Sequence, residues 1–259
     1  MDLGLQGKVA LITGGSRGIG LATGLMLAAE GCSLRLVARG RPQLERARAE
    51  LAATGATISV HECDIADATA LSALVAEIQD VDILINNAGA IPRGSLTELD
   101  ESSWRAAWDL KLFGYINLTR SVYSKMKLRR SGVIINVIGV GGERPTAAYI
   151  AGCSANASLM AFTCALGGES VDFGVRVVGV NPGIVATERM QVVLQSDAQQ
   201  KFGDATRWRE LLAQRPFGRA AAPAEIASVI AFLSSSRASY VSGTVVTIDG
   251  GATTRQPPL

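Results

Sequence analysis

The residues with the plainest chemical purpose are the glycines of Thr13-Gly14-Gly15-Ser16-Arg17-Gly18-Ile19-Gly20. They follow an apolar run, Val9–Thr13, and open a helical pattern, Gly18–Glu30. Gly14 permits a tight turn, Gly18 lets the backbone approach a phosphate, and Gly20 lets the helix pack closely on the strand. The unpaired N–H groups and positive dipole end of that helix then face the phosphates. A strand, a glycine turn and a helix in this order point to a bound dinucleotide. An acid about 20 residues further on would take a ribose 2′-hydroxyl. Here that place holds Ala38 and Arg39. A guanidinium suits a 2′-phosphate instead, with Arg17 as a second donor. NADP(H) is therefore expected over NAD(H).

Other chemistries find little support. His61 is the sole histidine, and Cys32, Cys63, Cys153 and Cys164 lack metal-ligand spacing, so no metal site is expected. A Ser-His-Asp or Cys-His pair has no evident second member. The 259 residues carry 25 Lys plus Arg against 23 Asp plus Glu. That balance gives no reason to expect nucleic acid or an anionic membrane as partner. Met1–Gly7 shows no leader pattern, and no apolar run reads as long enough to span a bilayer. The expected location is the cytoplasm, and the expected partner a small-molecule substrate.

The elements that must position the loop follow from periodicity. Further strand-like runs are Ser33–Ala38, Thr57–His61, Asp82–Ile85, Val133–Val137, Val175–Val180 and Val245–Ile248. Helical patterns cover Arg41–Thr54, Ala68–Gln79, Glu101–Lys127 (as one long helix) and Thr146–Ser170. Short apolar strands alternating with helices predict βαβ units and a parallel sheet. The expected fold is a doubly wound α/β domain of the Rossmann type, with seven strands and helices on both faces, spanning 1–259. The polar stretch Glu188–Phe217 breaks the rhythm and is a candidate substrate lid over the sheet's carboxyl edge.

The spacing Thr13-Gly14-x-x-x-Gly18-x-Gly20 resembles the cofactor loop of the short-chain dehydrogenase/reductases. Asp64-Ile65 looks like that family's adenine contact, and Asn86-Asn87-Ala88-Gly89 like its structural N-N-A-G motif. Asn181-Pro182-Gly183, with Val185 and Thr187 beyond, looks like its nicotinamide loop. Phe217-Gly218-Arg219, Ser242-Gly243 and Asp249-Gly250-Gly251 resemble its C-terminal marks. The resemblance implies hydride transfer between a nicotinamide cofactor and a carbonyl or alcohol, and a homotetramer.

Family members usually employ a tyrosine, a lysine, a serine and an asparagine. Alignment on the resemblance places Gly152 at the tyrosine, Asn156 at the lysine, Gly139 at the serine and Lys111 at the asparagine. The 13-residue step from Gly139 to Gly152 matches the family's serine-to-tyrosine step. Glycine has no side-chain proton to give, and Asn156 has no charge with which to acidify a phenol. Tyr149, seven residues before Asn156, is the candidate replacement donor, with Lys111 supplying positive charge that polarises a carbonyl or lowers the tyrosine pKa. Asn156 stays among the candidate cofactor contacts. Glu143 and Arg144 are candidates to face substrate. Two functions follow: an NADP(H)-dependent oxidoreductase with a rearranged acid/base set, or a catalytically inactive NADP(H)-binding protein acting as a sensor or oligomer partner.

Overall fold

A computed structural model describes residues 2–255. Seven parallel strands form one sheet in the order β3-β2-β1-β4-β5-β6-β7. They are β1 (Val9–Thr13), β2 (Ser33–Ala38), β3 (Ile58–Glu62), β4 (Ile83–Asn86), β5 (Gly132–Val137), β6 (Val175–Pro182) and β7 (Thr244–Ile248). The order reverses between β1 and β4. That switch point opens a crevice at the carboxyl ends of the strands, the usual ligand position in such sheets. The expected doubly wound fold is what the chain adopts.

Alternate strand residues bury opposite faces. Ile12, Leu34, Leu36, Ile85, Ile135 and Val178 pack under α1 (Gly18–Ala29), α2 (Arg41–Ala52) and α8 (Pro223–Ser234). Leu11, Val37, Leu84, Ile134 and Val177 pack under α3 (Ala68–Glu77) and α5 (Gly114–Arg129). Helices on both faces leave little of the central strands wet, which is why β1 and β4 read as unbroken apolar runs.

Two helices depart from the expected boundaries by a turn or more, against one or two residues at the ends of α1, α2 and α3, and both of these larger differences bear on the cleft. The expected helix Glu101–Lys127 is two, α4 (Glu101–Trp108) and α5, joined by a π-helical turn at Asp109–Phe113. One inserted residue rotates what precedes it by about 100° relative to a continuous helix. Hydrophobic periodicity does not register such an insertion because both halves keep an apolar stripe. The expected helix Thr146–Ser170 begins only at Ile150, as α6 (Ile150–Ser170). The backbone ahead of it is held elsewhere: Gly94 donates its amide to Ala148 O (2.9 Å) and Tyr149 forms a bridge with Gly94.

The stretch Ile150–Phe173 is long and apolar enough to cross a membrane by length and composition, unlike the sequence expectation. Ser154, Asn156, Ser158 and Thr163 interrupt its apolar run while Ala, Leu, Met and Phe keep its average hydropathy high. About 44% of its most apolar window is buried within the domain.

Candidate functional site

The phosphate loop is clamped from beneath. Thr13 Oγ1, at the end of β1, accepts from the amides of Asn87 (2.9 Å) and Ala88 (3.1 Å). Asn87 Nδ2 donates to the carbonyls of Thr13 (3.1 Å) and Gly14 (3.2 Å). The Asn86–Gly89 segment thus fixes the loop to β4. A Cβ on Gly20 would overlap the Gly14 carbonyl oxygen and stand 2.6 Å from Asn87 Nδ2. Only glycine fits there.

Gly18 has φ +56°, and a Cβ on it would lie 3.2 Å from Thr187 Cγ2. Arg17 is the N-cap of α1 and supplies no side-chain cap. The first amides of α1, at Gly18, Ile19 and Gly20, are therefore left without a capping side chain at the mouth of the crevice. This cradle fits a dinucleotide pyrophosphate.

The remaining cofactor-side residues line the same edge. Arg39 is exposed at the end of β2 and lies 3.9 Å from Asp64. An exposed pair at that distance holds weakly, so the guanidinium keeps donors free. Asp64 Oδ1 accepts from the Ala66 amide (3.1 Å), and Ile65 is buried beneath, against Gly114. Pro182 ends β6 and Gly183 donates to Ile248 O (2.9 Å). Val185 is buried, and Thr187 caps α7 (Glu188–Phe202) by accepting from the Met190 amide (3.3 Å). Ser16 is half-buried in the loop.

At the centre of the crevice a buried amide network joins the strand ends. Asn86 Nδ2 donates to Thr119 Oγ1 and Asn136 Oδ1, each at 2.9 Å. Asn136 Nδ2 donates to Thr163 Oγ1 at 2.9 Å. These bonds tie β4, β5, α5 and α6 together, so groups carried on them hold fixed separations.

Lys111 sits in the π-turn, and the widened turn aims it inward. Its stem runs over Gly89, and Nζ donates to Ile138 O at 2.6 Å, next to Gly139. Burial, reinforced by the nearby Arg189 charge, pushes its pKa down to about 8. Gly139 has φ +129° and donates its amide to Asn181 Oδ1 (3.1 Å). Asn156 is buried with Nδ2 toward Gly139 and Gly141, and its Oδ1 has no protein partner. That orphaned acceptor can take a ligand hydroxyl.

Tyr149 precedes α6, and its ring lies directly over Gly152, where a Cβ would overlap Cζ and Cε1 and reach 2.5 Å from Cε2. Burial raises the phenol pKa, against the lowering effect of Arg189 and Arg93. This corrects the expectation of a lysine-acidified tyrosine: the cations acting on the phenol are two arginines, and desolvation outweighs them. Tyr115 lies beneath, fully buried, donating to Val137 O (3.1 Å).

Arg189 stands two residues beyond the last motif position, Thr187, and no motif marks it. Its Nη1 donates to Gly89 O (2.7 Å) and its Nη2 to Ile91 O (2.8 Å). Arg93 pairs with both carboxylate oxygens of Asp197 on α7, each at 2.8 Å. These two arginines fasten the 188–217 segment to the loop after β4. Glu143 is held from the other side by Asn181 Nδ2 and Thr247 Oγ1. Arg144 donates to Ala252 O (3.1 Å) and is turned to the C-terminal segment. Among the described residues no group of His, Cys, Asp or Glu could hold a metal.

Comparison with known proteins agrees with this geometry. The family model described as short chain dehydrogenase matches residues 8–198. The chain is 32% identical over 258 residues to 2,3-dihydro-2,3-dihydroxybenzoate dehydrogenase of Bacillus subtilis (strain 168), covering 96% of this chain and 97% of that one. L-sorbose reductase from Gluconobacter frateurii, solved with NADPH and L-sorbose, superposes with a TM-score of 0.92 at 30% identity, over 99% of this chain and 100% of that one. NAD+-bound xylitol dehydrogenase superposes with a TM-score of 0.88 at 25% identity, over 95% and 99%. The glycine cradle, the Asn86–Gly89 clamp and the match across both sequence and fold make this chain a member of the short chain dehydrogenase family of oxidoreductases.

Proposed function

We propose that the protein is an NADP(H)-dependent oxidoreductase acting on a small carbonyl or alcohol substrate with a non-standard acid/base set. The observation that carries this reading is the Tyr149 ring lying on Gly152. The family's tyrosine position has no side chain here, and a phenol from position 149 fills the same space. The Lys111 ammonium, at the end of β5, stands in for the charge missing at Asn156.

The roles follow from the geometry. The α1 amides hold the pyrophosphate, and Arg39, with Arg17 as a second donor, meets the 2′-phosphate. An NADPH-bound neighbour supports this choice and an NAD+-bound one tempers it, so Arg39 decides. Asn156 Oδ1 accepts a ribose hydroxyl. When bound, the nicotinamide supplies or takes the hydride. The neutral Tyr149 phenol donates a hydrogen bond to the substrate oxygen. Lys111, with its pKa near 8, is better matched than a raised phenol to deliver the proton at neutral pH. Segment 188–217 closes over the substrate as a lid, and helices α5 and α6 carry a homotetramer interface.

The deciding experiment follows NADPH loss with panels of ketones, aldehydes and enones. Turnover that falls in both Tyr149→Phe and Lys111→Met supports the reading. Tight NADPH binding without turnover on any panel would replace it with a non-catalytic nucleotide-binding role.

A further inference from the structure

Lys111 and Arg189 approach one spot from different elements. Lys111 reaches over Gly89 from the π-turn, with its Cδ 3.1 Å from where a Gly89 Cβ would stand. Arg189 reaches the Gly89 carbonyl from the first turn of α7 at 2.7 Å. Each meets only backbone carbonyls: Ile138 O for the lysine, Gly89 O and Ile91 O for the arginine. Among the described residues neither forms an ion pair, whereas the neighbouring Arg93 is bidentate with Asp197 and Arg219 is paired with Glu225. Glu143, in the loop after β5, is engaged by Asn181 and Thr247.

Two like charges are thus held near Gly89 without a counter-ion in a partly desolvated cleft, and the arginine adds to the burial that disfavours the lysine's charged form. Such an arrangement costs stability unless an anion neutralises it. Donors remain to receive one. The ammonium has three N–H groups and uses one, and the guanidinium has five and uses two. A planar carboxylate suits a guanidinium and an ammonium placed side by side.

Resting on the reading of this cleft as the substrate site, we propose that Lys111 and Arg189 bind a carboxylate of the substrate, making the substrates small oxo or hydroxy acids. A phosphate group of the cofactor would offer the same charge. The α1 amides, Arg17 and Arg39 are assigned to the phosphates on the β1–β2 side, whereas Lys111 and Arg189 hold carbonyls of the loops after β4 and β5, with Arg189 close enough to act on the Tyr149 phenol.

The test uses the protein saturated with NADP+, which has no hydride to give an oxo acid, and measures binding by calorimetry, without turnover. Probes are pyruvate, acetoacetate and benzoate, each against its primary amide. The expected result is an acid bound at least about tenfold more tightly than its amide. Arg189→Gln should reduce that advantage below about threefold with an unchanged Tm, and Arg189→Lys should restore most of it, NADPH affinity moving less than about twofold in either. Equal binding of acids and amides, or no binding of any acid, overturns the proposal. So does Arg189→Gln weakening NADPH as much as the acids, which would assign the pair to a cofactor phosphate. An acid preference in a protein that turns nothing over would remove the oxidoreductase reading alone.

Discussion

The ring of Tyr149 and the bare α-carbon of Gly152 are in face-to-face contact, three residues apart around the first turn of α6. Each constrains the other. The tyrosine is held in place only while position 152 has no side chain, and the glycine gains its contact only from the tyrosine. Gly152→Ala should therefore cost about 1–3 kcal/mol through overpacking. In a Tyr149→Ala background the same substitution should be neutral or stabilising by up to about 1 kcal/mol, since alanine is the better helix former. A double-mutant cycle by denaturant unfolding measures this coupling, and additive effects would show that the ring does not occupy the site.

If Lys111 supplies the proton as proposed, it should set the pH dependence. Its ammonium gives way to the amine above about 8 rather than near 10.5. Reduction that draws its proton from Lys111 should decline as pH rises through about 8. Lys111→Met should remove that limb together with roughly 10²–10⁴ of the rate. The stability sign is opposite to that of a paired lysine. Between about 8 and 10.5 the unfolded chain holds the proton that the folded one has lost, so Lys111 favours folding more as pH rises through that window. Lys111→Met should accordingly be more stable than the parent at pH 7, read from urea midpoints.

The proposed preference for NADP(H) rests on Arg39. Arg39→Asp should weaken NADPH binding by roughly 10–100-fold, the worth of a charged hydrogen-bonded contact, and weaken NADH far less. Fluorescence titration of both nucleotides checks it. Equal affinity of the unmodified protein for the two would end the NADP(H) assignment.

The cradle tolerates no methyl at Gly20, whose Cβ would meet the Gly14 carbonyl and Asn87. Gly20→Ala should abolish nucleotide binding and lower stability by about 1–3 kcal/mol. Gly168→Ala, whose Cβ meets nothing within 4 Å, is the matched control in a helix. Calorimetry with NADPH and thermal unfolding of both variants distinguish a steric loop from a general glycine effect.

The Arg93–Asp197 pair is largely exposed and should contribute no more than about 1 kcal/mol to global stability. Its effect should be local. Asp197→Ala should raise the rate of limited proteolysis within 188–217, with NADPH plus substrate slowing the cut. Unchanged cleavage would show that the clasp does not restrain this segment.

The sequence by itself determined the sheet and the glycine turn between β1 and α1. Strand runs such as Val9–Thr13 and Ile83–Asn86 are buried on both faces, so their apolar character is visible without knowing their neighbours. The glycines between β1 and α1 answer to backbone geometry, which is local and therefore written in adjacent residues. The tertiary structure alone decided the rest. The π-turn that swings Lys111 inward adds one residue to a helix whose apolar stripe is intact on either side. Arg189, Gly89 and Ile138 are 100 and 49 residues apart in sequence and meet only because βαβ crossovers bring the strand ends to one edge. The direction of the Tyr149 pKa depends on burial and on arginines from two other segments, quantities that no local pattern encodes.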